Sequence, residues 1–92
     1  ARLAPLDGVT FVAAPQGTTS NYWLNTILLA DPAQRSPLLT LAHEQGLGLR
    51  PAWTPLHQLP MYLTAPKAHL SRTEDLAARI VNLPSSPGLP AI

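Results

Sequence analysis

Proline constrains this chain more than any other residue type. Eleven of its 92 residues are proline, and Pro51, Pro55 and Pro60 fall within ten positions. Each fixes φ, removes a backbone donor and biases the preceding residue towards extended geometry. The stretch from Gly46 to Tyr62 therefore reads as a helix-ending glycine, a short apolar run to Arg50, and a loop with few conformations open to it. That loop carries Arg50, Trp53, His57 and Tyr62. A loop stiffened by its own backbone loses little entropy when a ligand arrives, so these four residues are the candidate binding set. The competing reading is a surface connection whose Trp and Tyr cover the edges of a core.

Ninety-two residues make one domain. Charged residues are 12% of the chain, about half the usual share. So few charges imply that another domain or subunit covers part of the surface. The net charge is +1, and Arg2, Arg35, Arg50, Lys67, Arg72 and Arg79 form no run or stripe, which argues against nucleic acid. Without cysteine there is no disulfide framework and no thiolate nucleophile or metal site. No apolar run approaches a membrane span, and the N-terminus lacks a signal-peptide core, so the expected location is cytoplasmic.

In chain order, Val9–Ala13 alternates and predicts a strand. Residues 21–29 predict a longer, two-sided strand. Ser36-Pro37 predicts an N-cap and first helical residue, with the helix ending at Gly46. Residues 47–50 predict a third short strand. Ser71-Arg-Thr-Glu74 has the form of a capping box opening a helix that runs to about Val81, with Leu76, Ala77, Ile80 and Val81 inward. The expected fold class is α+β: a small antiparallel sheet of about three strands with two main helices.

Several other constellations fail to add up to chemistry. His43, His57 and His69 lack metal-ligand spacing. Ser85-Ser86 has no matched base. Glu74 and Asp75 sit in a helix's first turn, where the helix dipole explains them.

Four motifs occur in one order: Ser20-Asn-Tyr-Trp-Leu-Asn25, Arg50-Pro-Ala-Trp-Thr-Pro-Leu-His57, Leu59-Pro-Met-Tyr62 and Asn82-Leu-Pro-Ser-Ser-Pro87. Together with the helix ending at Gly46 they resemble the C-terminal domain of the DegT/StrS-type aminotransferases, in particular the branch making legionaminic-acid-type amino sugars. The resemblance implies the small domain of a fold-type I, pyridoxal phosphate-dependent enzyme. Such an enzyme works as a homodimer and moves an amino group from glutamate to a nucleotide-linked keto-sugar. It further implies that Arg50 and His57 contact phosphate or sugar hydroxyls, and that Trp53 and Tyr62 pack on the sugar or base. Asn21 and Tyr22 are weaker candidates, expected to serve strand pairing and packing.

The chain departs from that pattern in one respect. Lys67, between Pro66 and Ala68, is the only lysine and does not match the Schiff-base motif. Residues 1–92 are thus expected to be the C-terminal domain alone, without the large domain, without catalytic residues of its own and unable to hold the cofactor or transaminate by itself. The alternative is a stand-alone interaction module, although the proline spacing gives no repeated Pro-x-x-Pro pattern.

Overall fold

The computed structural model describes residues 6–85. It contains strand β1 (Val9–Phe11), strand β2 (Asn25–Leu29), helix α1 (Arg35–Glu44), strand β3 (Arg50–Pro51), helix α2 (Ser71–Arg79) and strand β4 (Ile80–Leu83). Four strands form one antiparallel sheet in the order β1-β2-β4-β3. The α+β class and the two helices are as expected. The strand following α2 is new: Ile80 and Val81 extend the sheet instead of finishing the helix.

The register explains why. Ile27 stands opposite Val81, and Val81 opposite Pro51, so β4 is a central strand bonded on both sides. Val81 is 0% exposed. Its β-branched neighbour and its own shape favour a pleated, two-sided environment. α2 therefore stops at Arg79, whose guanidinium donates to the Leu29 carbonyl at 3.0 Å and ties the helix end to β2. Leu76, expected inward, is exposed, and α2 buries no residue fully.

One face of the sheet carries Ile27, Leu29 and Val81, and these pack with Ala42 of α1 and with Leu49. Val9, Leu38, Leu39, Leu47 and Leu83 surround that cluster. The opposite face presents Thr26 and Leu28 beside Asn82 and Ile80. There the Thr26 hydroxyl bonds the Asn82 side-chain oxygen at 2.7 Å.

β2 begins four residues later than its composition suggests. The Ser20 hydroxyl accepts from the Tyr22 amide at 3.0 Å, and Asn21 Oδ1 accepts from the Trp23 amide at 3.1 Å. Short polar side chains that capture nearby amides compete with strand pairing. Tyr22 accordingly sits at φ 51°, a left-handed conformation rare for a non-glycine residue, and stacks on Phe11.

α1 also starts differently. Asp31 Oδ1 accepts from the Ala33 amide at 2.9 Å and caps a 3₁₀ turn, Pro32–Gln34, that runs directly into α1. Ser36 is not the cap, and Pro37 lies within the first turn, where a missing donor is tolerated. The far end is as expected. Gly46 takes φ 78°, its amide bonds the His43 carbonyl, and the Leu47 amide bonds the Ala42 carbonyl, the paired pattern of a Schellman motif.

The proline loop is not wholly irregular. Two 3₁₀ turns, Leu56–Gln58 and Pro60–Tyr62, fold it into a compact shelf between β3 and α2. β3 itself is shorter than the run 47–50 and shifted to Arg50–Pro51. Of the fourth motif, Ser86 and Pro87 lie outside the described residues, as does Arg2. Among the described residues no helix is long and apolar enough to cross a membrane.

Candidate functional site

The four candidate residues do not converge on one point. His57 and Tyr62 line a cleft of about 490 Å³, walled by Pro55, Leu56, Lys67 and Leu70. Arg50 and Trp53 border a second concavity of about 400 Å³ on the outer face of the sheet, beside Thr26 and Asn82. The proline loop supplies one wall of each.

The cleft forms because Pro55 and Pro60 each precede a 3₁₀ turn or open one, which folds the chain back on itself. The Gln58 amide returns to the Pro55 carbonyl at 2.9 Å, and the Tyr62 amide to the Leu59 carbonyl at 2.9 Å. These bonds place His57 and Tyr62 on successive turns. The wall is largely apolar, with the imidazole, the phenol, the Lys67 ammonium and the Thr73 hydroxyl as its polar groups. Such a surface suits a ligand with an apolar or ring face and a few hydrogen-bonding groups.

His57 is held from behind. Its Nε2 lies 3.0 Å from Glu74 Oε1 on the first turn of α2. Sequence reasoning assigned Glu74 to a capping box with Ser71, and the structure overturns that. The N-cap is Leu70, Ser71 is the first helical residue, and no side chain caps the helix. The Glu74 amide bonds the Leu70 carbonyl as an ordinary helical donor. Its carboxylate reaches across to the loop. Nothing in the local spacing marks that partnership, because the two residues are brought together only when the loop folds against α2.

Arg50 is placed at the sheet edge. Its Nη1 donates to the Leu49 carbonyl at 3.1 Å and lies 3.1 Å from His43 Nε2. His43 Nε2 is also 2.9 Å from the Leu49 carbonyl. With Nε2 protonated, the imidazole and the guanidinium both donate to the Leu49 carbonyl, and that shared acceptor holds Arg50 beside the end of α1. Trp53 is 85% exposed and touches no aromatic partner among the described residues. It stands between the outer-face concavity and a small hollow of about 200 Å³ that Glu74 and Arg35 also border. Asn21 and Tyr22 form the turn before β2, not the strand itself.

Among the described residues, no three His, Asp or Glu side chains could hold a metal ion. The cleft also does not compose a pyridoxal phosphate site. It offers one amine, Lys67, and no carboxylate to face a pyridine nitrogen.

The profile of the DegT/DnrJ/EryC1/StrS aminotransferase family matches residues 1–91. The chain is 37% identical over 76 residues to the GDP-perosamine synthase of Vibrio cholerae, covering 79% of this chain and 21% of that protein. It is 33% identical over 87 residues to EpsN of Bacillus subtilis, named as a pyridoxal phosphate-dependent aminotransferase, covering 90% of this chain and 22% of that one. It therefore spans about a fifth of the length of these relatives. The fold is shared with the aminotransferase TlmJ from Streptoalloteichus hindustanus, at a TM-score of 0.81 and 24% identity over 96% of this chain and 23% of TlmJ. Matched from end to end in this way, the chain belongs to the DegT/DnrJ/EryC1/StrS aminotransferase family.

Proposed function

We propose that this chain is the small, C-terminal domain of a pyridoxal phosphate-dependent aminotransferase that acts on a nucleotide-linked keto-sugar, takes its amino group from glutamate and serves surface-glycan biosynthesis. The observation carrying this reading is the family match over residues 1–91, in a chain about a fifth as long as relatives named for GDP-perosamine synthesis. In this reading a large domain supplies the Schiff-base lysine and holds the cofactor, and the enzyme is a cytoplasmic homodimer. The exposed Trp23, Trp53 and Met61 support a surface covered by the rest of such an enzyme.

The domain's part is to bind the long substrate. His57 and Tyr62 reach its sugar from the cleft, while Arg50 and Trp53 meet its more distant groups. In the full-length enzyme, His57→Ala should lower kcat/KM for the nucleotide-sugar by about one to two decades, the loss of roughly 1–3 kcal/mol of transition-state binding. The half-reaction with the small amino donor should change far less, because that donor reacts away from this cleft. Equal losses in both half-reactions would make His57 a fastener of the loop and remove it from the binding set. The chain of residues 1–92, incubated with pyridoxal phosphate and reduced with borohydride, should yield no stoichiometric adduct. An adduct abolished by Lys67→Ala would overturn the division of labour.

A further inference from the structure

Resting on that reading, we infer that Glu74 is a positioning residue that fixes the neutral form of His57 as its Nε2–H tautomer, so that in this form Nδ1 accepts from an uncharged donor, a sugar hydroxyl, and offers nothing to a phosphate. The argument begins with the ring's two nitrogens. In a neutral imidazole one nitrogen donates and the other accepts, and the bond made by one decides the role of the other. A carboxylate only accepts. At 3.0 Å from Glu74 Oε1, Nε2 must therefore carry the proton. Nδ1 is left as an acceptor, and it has no other partner among the described residues.

Where the two side chains lie gives this consequence a direction. His57 lines the cleft, whereas Glu74 borders the smaller hollow on the other side of the loop. The carboxylate thus holds the ring without occupying the ligand's space. The His57 side chain is 11% exposed and that of Glu74 53% exposed, so the imidazole is fixed while its holder stays hydrated. A neutral ring with a free Nδ1 lone pair suits an O–H donor. It repels phosphate oxygens, which are acceptors only, and the adjacent carboxylate adds like-charge repulsion. Lys67, the one cation on the cleft wall, sits on a separate part of the loop after Pro66.

Imidazole ¹⁵N and ¹H correlation spectra of the chain in alkaline buffer, where imidazole is neutral, test the assignment directly. The expected spectrum shows His57 with Nε2 protonated and Nδ1 unprotonated, and a slowly exchanging Nε2–H resonance. Glu74→Ala should abolish that slow exchange at an unchanged melting temperature, and inorganic pyrophosphate should leave the His57 ring resonances where they are. A protonated Nδ1, a resonance unaltered by Glu74→Ala, or a saturable His57 shift with pyrophosphate would each overturn the inference. In the full-length enzyme, Glu74→Ala should lower kcat/KM for the nucleotide-sugar about tenfold and leave the amino-donor half-reaction within about twofold. Unchanged kcat/KM in Glu74→Ala together with a tenfold loss in His57→Ala would overturn the positioning role alone. Unchanged kcat/KM in both variants, with the tautomer as expected, would instead overturn the substrate reading of the cleft and the hydroxyl assignment with it.

Discussion

The two halves of this chain are held in order by different physics. The sheet and α1 bury Ile27, Leu29, Ala42, Leu49 and Val81 below a tenth of their accessible surface. The proline loop and its two 3₁₀ turns bury no side chain to that degree. Burial of apolar area orders the first region. In the second, fixed φ angles and short-range amide-to-carbonyl bonds take its place. A region ordered by its backbone can leave its large side chains exposed, and so can present Trp53, Leu56, Met61 and Tyr62 outward. A region ordered by its core must keep a set of its large side chains inside, even though Leu41 of α1 and Phe11 of β1 remain exposed. The contrast separates scaffold from contact surface within a single small domain.

The largest effect expected from this contrast lies in the sheet. Ile27 is 4% exposed and stands opposite Val81 at the centre of the four strands. Ile27→Ala should destabilise the chain by about 2–5 kcal/mol, from lost transfer energy and the cavity left behind. Urea denaturation followed by circular dichroism measures it. A cost under about 1 kcal/mol would mean that the cluster collapses freely and that the two regions do not differ as described.

Next comes the junction between the regions. Gly46 ends α1 at φ 78°, and a Cβ added there would meet nothing within 4 Å. The cost of Gly46→Ala is then conformational only, about 1–2 kcal/mol for forcing an L-residue into the left-handed region. A neutral result would show that the turn relaxes to another geometry and that the loop does not depend on this cap.

How much of this was legible in the sequence follows the same division. Elements set by local chemistry could be read: Gly46 as a helix end, the α+β class, and α1 apart from its first turn. Errors arose where a distant partner decided the outcome. Ile80 and Val81 carry apolar side chains at a spacing that fits a helix face, yet pairing with both β2 and β3 makes them strand. Asn21 and Tyr22 look like strand, yet Ser20 and Asn21 take the amides into a turn. Ser71 and Glu74 have capping-box spacing, yet Glu74 bonds a histidine brought near by the loop. The candidate residues themselves came from one motif-rich stretch, but their separation into two concavities depends on how the prolines turn. No spacing rule carries that information.

A smaller effect tests the revised helix start. Ser71 is exposed and makes no capping bond, so Ser71→Ala should change stability by less than about 0.5 kcal/mol. A true side-chain cap would cost about 1 kcal/mol on removal. A loss of that size in the melting temperature of the variant would restore Ser71 as the cap and weaken the assignment of the Glu74 carboxylate to His57.

The smallest effect should come from the most conspicuous residue of the loop. Trp53 is a large apolar side chain, and in a core its truncation would cost about 3–5 kcal/mol. Here it is 85% exposed, so little of its area is withdrawn from water when the chain folds. Trp53→Ala in the chain of residues 1–92 should therefore stay within about 0.5 kcal/mol of the parent. The same substitution in the full-length aminotransferase proposed above should behave differently. If, as proposed, the rest of an aminotransferase or a nucleotide-sugar substrate covers the indole, the variant loses interface or substrate binding that the 92-residue chain never had. Measured side by side, a neutral effect in the short chain and a loss in the full-length enzyme would identify Trp53 as a contact residue on a backbone-ordered shelf. A substantial loss already in the short chain would place Trp53 among the groups that hold the loop together, and the contrast between the two regions would then disappear at its clearest point.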